Sequence, residues 1–392
     1  MEELKRVLLF DPYFSGKYGN ARYVIDLFQH EKDLNVNLFT SSTEEPVYLN
    51  DLPNSKKKYF KLKLKDKESG LNEFGGEITK KNLFSKLSLL SKIFSYSFRF
   101  RTLCVNNKID LVHCNSIRGI LTIGLGAKLA GCKTILYIKS NLSSFVYCLP
   151  AFILANRVLF QTETNKGKTP FILKLIFKKK FKILKNAIDL SRLESSSLGL
   201  NYRKELNLDE SSINFIYMGS ITHRKGIHVL LRAIGKLEKK KKINLFLLGD
   251  HSLDKNYFEE LKKIIAIQKI SKKINFLGHK EDALDVLNVM DCLILPSLDE
   301  GLPKCVIEAK CLGKPSIVTD TGGTKEIMED KKDGYVVPAG NVKALLKAME
   351  SYIENSNLIN NFANNNKKIS RDKFSFKNHC QELSRIYLSL LK

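Results

Sequence analysis

Tryptophan is absent from this 392-residue chain. With it goes the largest stacking platform a nucleic-acid reader uses, and no nucleic-acid recognition motif takes its place. No apolar run reaches the ~18–20 residues that a membrane-crossing helix needs. The nearest, Phe145 to Ala155, is too short and contains Pro150. The first residues, MEELKRVLLFDP, enter a strand almost at once and lack the apolar stretch and cleavage site of a secretory leader, so a cytoplasmic protein is expected. Cysteines stand at 104, 114, 132, 148, 292, 305, 311 and 380, and no two have the C-x-x-C spacing. Their scatter offers neither a zinc site nor a disulfide framework and fits buried, free thiols in a reducing compartment.

What is present points to two folded domains. Apolar residues make up 43% of the chain, enough for a sizeable core, and the length suits two domains of ordinary size. The net charge of +24 is uneven: residues 1–190 hold 32 Lys/Arg against 16 Asp/Glu. Such a surface seeks anions, whether nucleic acid, an anionic membrane or a phosphorylated substrate, and a lysine-rich composition in general would also raise it.

Apolar runs and helical patterns alternate throughout. Arg6–Phe10, closed by Asp11-Pro12, reads as a buried strand. A loop with Gly16 and Gly19 follows, then a helix capped by Asn20. Further strands are expected at Val36–Thr40, Asp110–Cys114, Thr134–Ile138 and Val158–Gln161, with a helix at Arg118–Ala130. Residues 41–82 are polar and lysine-rich and read as irregular, with a β-ribbon near Tyr59–Leu64. The pattern restarts after residue 210. Strands are expected at Asn214–Met218, Asn244–Leu248, Ile274–Leu277, Cys292–Leu295, Ser316–Thr319 and Gly334–Val337, separated by helices. The helix from Pro303 to Leu312 stops at Gly313 with Pro315 beyond. This repetition predicts an α/β fold of two doubly wound parallel sheets, joined within residues 184–210, with ligands at the C-terminal ends of the strands.

Two stretches carry chemistry. In Pro296-Ser-Leu-Asp-Glu300-Gly-Leu-Pro-Lys-Cys-Val-Ile-Glu308, two carboxylates flank a helix start. Pro303 suits a first helical position. The N–H groups of Gly301 to Lys304, with the helix dipole, make an anion site suited to phosphate. Carboxylates beside a phosphate would accept bonds from hydroxyls of a ribose or a hexose. In Gly219-Ser-Ile-Thr-His-Arg-Lys225-Gly226, Arg224 and Lys225 can neutralise a diphosphate or simply form a solvated polar turn. His223 lies in the same loop, as a turn residue or a donor contact. His113 ends a strand, where a satisfied strand-end histidine is the commoner reading.

The second half resembles glycosyltransferase family 4, the retaining nucleotide-sugar enzymes of the GT-B fold. Glu300 to Glu308 matches the family's E-x7-E motif, with Gly301, Pro303 and Ala309 in place. Further matches are Gly249-Asp250, Phe276-Leu-Gly278, Asp291 with Pro296-Ser297, Gly313-Lys-Pro315, Thr321-Gly-Gly-Thr-Lys-Glu326 and Asp333-Gly-Tyr-Val-Val-Pro338. Asn186-Ala-Ile-Asp189 looks like the family's interdomain Asn-Gly-Ile-Asp. Together they cover about residues 184–350 in order. The resemblance implies two Rossmann-like doubly wound domains facing across a cleft: residues 1–184 for the acceptor, residues 185–372 for the nucleotide sugar, and a C-terminal helix, 373–392, crossing back to the first domain.

The resemblance also implies roles. Glu308 would bind the ribose hydroxyls, Glu300 the donor sugar, and the backbone of Gly301, Leu302, Pro303 and Lys304 the phosphate and sugar. Lys225 would offset the diphosphate, and the loop after Gly278 would lie near the base. Gly19, Gly219 and Ser220 complete the donor set. Departures are visible: Ser220 stands where the family usually has arginine, only Gly19 remains of a double glycine, and Lys139 stands where many members have histidine. Arg224 is expected to reach the phosphate from the far end of its loop, and Lys139 the sugar or leaving phosphate. Glu300, Lys225, Arg224 and Lys139 are therefore the catalytic candidates. No cofactor and no metal are expected, because basic residues do the metal's work in this fold, and the chain has no Asp-x-Asp motif.

The expected activity is retaining transfer of a hexosyl group from a UDP- or GDP-type donor to a hydroxyl of a glycan or lipid-linked acceptor, in lipopolysaccharide, O-antigen or capsule synthesis. The alternative, kept by Ser220 and Lys139, is a catalytically degenerate partner subunit that binds nucleotide sugar or glycan lipid. Nucleic acid is not expected as a partner. An anionic membrane is, on the inner face: Leu83, Leu87, Leu90 and Phe94 recur at helical spacing beside Lys86, Lys92, Arg99 and Arg101, and residues 171–180 combine apolar and basic side chains. Either segment would equally serve as an ordinary helix packed on its own core.

Overall fold

The structure is a computed structural model and describes residues 4–10, 20–43, 46–52, 58–62, 83–139, 141–194, 199–209, 211–237, 242–355 and 357–392. It divides into two compact units, residues 1–185 with 376–392, and residues 186–375. Gly16 and Gly19 lie outside the described residues.

The first unit is a parallel sheet of seven strands: β1 (Arg6–Phe10), β2 (Asn37–Ser42), β3 (Tyr59–Lys61), β4 (Leu111–Cys114), β5 (Lys133–Ile138), β6 (Arg157–Phe160) and β7 (Phe181–Ile183), in the order β3-β2-β1-β4-β5-β6-β7. Central strands are covered on both faces, so they read as unbroken apolar runs rather than alternating ones. In β1, Val7, Leu8, Leu9 and Phe10 are all buried. The expected ribbon at Tyr59–Leu64 is instead the edge strand β3, parallel to β2, with Thr40, Ser41 and Ser42 opposite Tyr59, Phe60 and Lys61.

Helices α1 (Asn20–Gln29), α2 (Leu83–Asn106), α3 (Ile117–Leu129), α4 (Phe145–Leu154) and α5 (Phe171–Phe177) cover this sheet. In α2 the face that meets the core is Tyr96, Phe100 and Cys104, at four-residue spacing, while Leu90 and Phe94 are exposed. The apolar stripe read from the sequence thus points outward where it is described, and a second stripe does the packing. The C-terminal helix Phe376–Leu391 belongs to this unit and buries Phe376, Cys380, Leu383 and Tyr387 in it.

The second unit has six parallel strands: β8 (Ile213–Met218), β9 (Ile243–Leu248), β10 (Ile274–Gly278), β11 (Cys292–Leu295), β12 (Ser316–Thr319) and β13 (Gly334–Val337), in the order β10-β9-β8-β11-β12-β13. Counted within the unit this is 3-2-1-4-5-6, the dinucleotide-fold order, whose direction of travel reverses between β8 and β11. Helix α6 (Ile227–Ile234) follows the loop after β8, α7 (Lys255–Ile267) follows β9, and α8 (Lys304–Leu312) follows the loop after β11. Two doubly wound α/β units are what the alternating pattern predicts.

All eight cysteines are free thiols; seven are buried and Cys305 is half-buried. Among the described residues no helix is long and apolar enough to cross a membrane.

Candidate functional site

The candidate site grows from two loops at the C-terminal edge of the second sheet, one after β8 and one after β11. These strands are neighbours at the reversal point, the place where sheets of this order generally bind their ligands. Residues His223–Lys225 make a tight turn that ends at Gly226, whose φ of 65° starts α6. A Cβ on Gly226 would lie 2.2 Å from the Pro296 carbonyl oxygen. Only glycine lets the two loops approach this closely.

The approach is stitched by backbone. Leu298 N–H donates to the Arg224 carbonyl at 2.8 Å, and the Arg224 guanidinium donates to the Asp299 carbonyl at 2.7 Å. The result is an ion pair: Lys225 Nζ lies 2.5 Å from Glu300 Oε1, and Ser297 Oγ donates to the same oxygen at 2.7 Å. Thr319 Oγ1, from the end of β12, donates to the Ser297 carbonyl at 2.5 Å and fixes that serine. Glu300 is only 6% exposed, so its charge depends on Lys225 and Ser297 rather than on water. Arg224, half-exposed, stands further off, 3.8 Å from Glu300 Oε2.

Beyond Glu300 the chain enters α8. Its N-cap is Pro303, in extended conformation at ψ 111°. The helix therefore starts at Lys304, one residue later than the expected first-helical proline. Pro303 carries no N–H, so the loop's backbone donors are Gly301, Leu302 and Lys304, not every residue of that stretch. Leu302 points its side chain into the core. The carbonyl of Gly301 is taken by Gly323 N–H at 2.7 Å, which brings the Thr321–Thr324 loop against this one. Glu308, half-buried, lies one turn up the helix from Lys304. The Cys305 thiol feels the charges of Lys225, Glu300 and Glu308, yet burial dominates and pushes it up to about 12. It stays protonated and inert.

The strand ends on the other side continue the edge. The Tyr217 hydroxyl donates to the Ser220 carbonyl at 2.7 Å, and Gly219 N–H donates to Leu248. A Cβ on Gly249 would meet the Gly219 carbonyl oxygen at 1.8 Å, so this position too is closed to a side chain. Gly249 N–H donates to the Gly278 carbonyl at 2.8 Å. His223 packs in the turn, stacked on His228 at 4.8 Å between ring centroids and edge-on to Tyr257 of α7.

The structure thus brings Gly219, Ser220, Arg224, Lys225, Glu300, Gly301 and the start of α8 together along one sheet edge. Lys139 belongs to the first unit, where its ammonium lies 3.7 Å from the Tyr23 ring centroid. The Tyr23 hydroxyl is 2.9 Å from His379 Nε2, while His379 Nδ1 faces the Lys185 carbonyl at 2.8 Å. A carbonyl only accepts, so Nδ1 carries the proton and Nε2 accepts from Tyr23. His113 is fully buried, with Nδ1 2.7 Å from the Tyr387 hydroxyl. Burial first, then the charge of Lys139, hold it down at about 3. It is a neutral residue that ties β4 to the C-terminal helix.

The reading from sequence missed Ser297 and Thr319 as supports of Glu300. The signal for Ser297 was its place three residues before that glutamate; Thr319 is brought in only by strand pairing. Among the described residues no group of three or more His, Cys, Asp or Glu is placed to hold a metal ion.

Residues 200–369 match the family model described as "Glycosyl transferases group 1". The chain is related to the group 1 glycosyltransferases. It is 29% identical over 204 residues to the capsular polysaccharide biosynthesis glycosyltransferase CapM of Staphylococcus aureus, covering 51% of this chain and 52% of that one. It is likewise 29% identical over 239 residues to the N,N'-diacetylbacillosaminyl-diphospho-undecaprenol alpha-1,3-N-acetylgalactosaminyltransferase of Campylobacter jejuni, covering 58% of this chain and 60% of that one. The chain spans about half the length of the curated relatives it matches. In fold it is similar to Anabaena HepE, solved in complex with UDP, with a TM-score of 0.79 and 18% identity over 98% of this chain and 100% of that one. The group 1 relation and the two Rossmann-like units of the GT-B fold agree with the resemblance read from Glu300 to Glu308.

Proposed function

We propose that this group 1 relative transfers a hexosyl group from a nucleoside-diphosphate sugar to a hydroxyl of a glycan or lipid-linked acceptor, with retention of configuration, in the synthesis of a surface polysaccharide. The observation that carries this reading is the buried Lys225–Glu300–Ser297 cluster at the reversal point of the second sheet, directly before the N-terminus of α8. A diphosphate arriving there meets the Lys225 ammonium, the Arg224 guanidinium and the first N–H groups of α8, which lack intrahelical acceptors. These groups stabilise the charge that builds on the leaving diphosphate, and no proton-transfer residue is needed for that step. Glu300, its charge held by Lys225 and Ser297, accepts from sugar hydroxyls, and Glu308 accepts from the ribose. That UDP occupies the HepE structure and that CapM serves capsule synthesis by name support the donor and pathway class. The name of the Campylobacter relative, which specifies a diphospho-undecaprenol acceptor, supports a lipid-linked one.

The test is a thermal-shift screen against UDP, GDP, ADP and their sugars. A ligand at 100 times its Kd adds about 2.7 kcal/mol of stability. One nucleotide should shift the wild type and fail to shift Glu308→Ala; Lys225→Met should weaken binding of the diphosphate far more than that of the nucleoside. A shift with no nucleotide in a folded sample overturns the reading. Binding without turnover of the sugar nucleotide in the presence of acceptor would favour a partner subunit instead, a possibility that Lys139 and Ser220 in place of the family's histidine and arginine keep in view. Retention is read by NMR of the product's anomeric proton.

A further inference from the structure

The first unit carries an apolar, basic surface that no part of the donor site uses. Helix α5 reads Phe-Ile-Leu-Lys-Leu-Ile-Phe. Leu173 is fully buried, while Phe171, Ile172, Leu175 and Ile176 are 69%, 58%, 56% and 61% exposed. Folding of this unit therefore uses one flank of the helix and leaves four large apolar side chains in water. The neighbouring α4 does the same: Phe152 is buried, yet Val146 is 74% exposed, with Phe145, Tyr147 and Ile153 also exposed. The two helices are joined beneath by Phe152 and Phe177, whose rings meet edge to face at 5.8 Å. A clustered apolar surface of this kind marks an interaction site, whereas scattered exposed residues do not.

Charge identifies the occupant. Residues 128–185 contain 12 Lys/Arg and a single acidic residue, Glu163, which is paired to Lys166 at 2.8 Å. Lys180 is spent on structure, donating to the carbonyls of Phe152 and Ala155 at the end of α4. Lys168, Lys178, Lys179 and Lys182 stay exposed around α5. An apolar helical face ringed by lysines is complementary to an anionic bilayer, which offers acyl chains and negative headgroups in one surface. We propose that the exposed faces of α4 and α5 seat the first unit on an anionic lipid bilayer, with Phe171, Ile172, Leu175 and Ile176 in the acyl boundary and Lys178 and Lys179 at the headgroups. This goes beyond the reading of the donor site and does not rest on it.

The experiment is co-sedimentation of the full chain with vesicles of phosphatidylcholine alone and of phosphatidylcholine mixed with phosphatidylglycerol. Two variants accompany it, Phe171→Ser/Ile176→Ser and Lys178→Glu/Lys179→Glu; both leave buried Leu173 and structural Lys180 in place, and thermal unfolding checks their fold. Each lysine near an anionic leaflet changes the partition roughly fivefold, so Lys178→Glu/Lys179→Glu should bind mixed vesicles at least about tenfold more weakly, and Phe171→Ser/Ile176→Ser, which takes two large apolar side chains out of the acyl boundary, should lose at least as much. Binding should fall with salt and be weak on phosphatidylcholine alone. No binding of the folded wild type to the mixed vesicles, or binding that neither variant reduces, overturns the proposal. So does lipid-free sedimentation showing a dimer that Phe171→Ser/Ile176→Ser abolishes, which would make this face a contact between copies.

Discussion

Single residues decide how the two site loops meet. Gly226 combines a φ of 65° with a backbone oxygen where its Cβ would be, so Gly226→Ala suffers twice: left-handed strain and a clash with the Pro296 carbonyl. A loss of about 2 kcal/mol is expected. Because the clash pushes Lys225 away from Glu300, nucleotide affinity should fall more than the stability loss alone explains. Urea unfolding and nucleotide titration of the same sample test this, and wild-type affinity in the variant would sink it. His113 shows the opposite kind of control, through a proton. Its folded value of about 3 lies below the ordinary 6.5, so between those values the unfolded chain binds a proton that the folded one refuses. Stability is therefore intact above about pH 6.5 and is lost as pH falls toward 3, by about 2 kcal/mol at pH 5. His113→Asn keeps a polar atom near Nδ1 and removes the titration. Its stability should change less than the wild type's between pH 7 and 5, and equal slopes in the two proteins would refute the assignment.

At the scale of elements, α8 must be held firmly if its N-terminus is to present Lys304 and the Gly301 loop. Its anchor is Lys310, buried, whose Nζ lies 2.5 Å from Asp333 and donates to the Ile327 carbonyl at 2.7 Å. Asp333 in turn accepts from Glu329 N–H at 2.9 Å, just before β13. Asp333→Ala leaves a buried ammonium without its counter-charge and should cost roughly 3 kcal/mol, while Lys310→Met/Asp333→Ala, which removes both charges, should recover much of that loss. Chemical denaturation of the three proteins decides it, and a double variant no better than the single one would show that the pair is not what anchors the helix. These elements also show what the sequence made legible. Strands such as Ile213–Met218 and Cys292–Leu295 stood out because strands buried on both faces need unbroken apolar runs, and Gly313 marked the end of α8 because it adopts φ 75°. What stayed hidden depends on partners. The parallel pairing of β3 is three residues long and half-buried, so no alternation announces it. In α2, exposed Phe94 and buried Phe100 are chemically alike, and only the position of α3 says which faces the core. Within the candidate site, motif spacing singles out Glu300, Lys225 and Glu308, and the structure brings the first two together. The bond from Thr319 to Ser297 joins neighbouring strands far apart in sequence, and the seat of Lys139 over Tyr23 joins segments that no local pattern links.

On the scale of the whole chain, the order 3-2-1-4-5-6 is built twice, with a seventh strand added in the first sheet, and the last helix returns to the first unit. That return places 16 residues, Phe376–Leu391, under the control of contacts made hundreds of positions earlier. Ser384 Oγ donates to the Leu34 carbonyl at 2.6 Å, the Tyr387 hydroxyl meets His113, and Tyr23 donates to His379. Removing the helix uncovers His113 and Tyr23, takes away the Tyr387 and His379 partners of their side chains, and opens the first unit's core beside α1. The second unit has its own core, running from Phe215 and Leu230 through Val306 to Tyr352, and takes none of its buried residues from the helix. A chain ending at Ser375 should therefore unfold unevenly. Hydrogen exchange should be fast throughout β1, β4 and β5, while β8, β11 and α8 keep their protection, and nucleotide binding to the second unit should survive in part. Equal loss of protection in both sheets would mean that the two units fold as one cooperative body, and equal retention would mean that the C-terminal helix merely decorates the first.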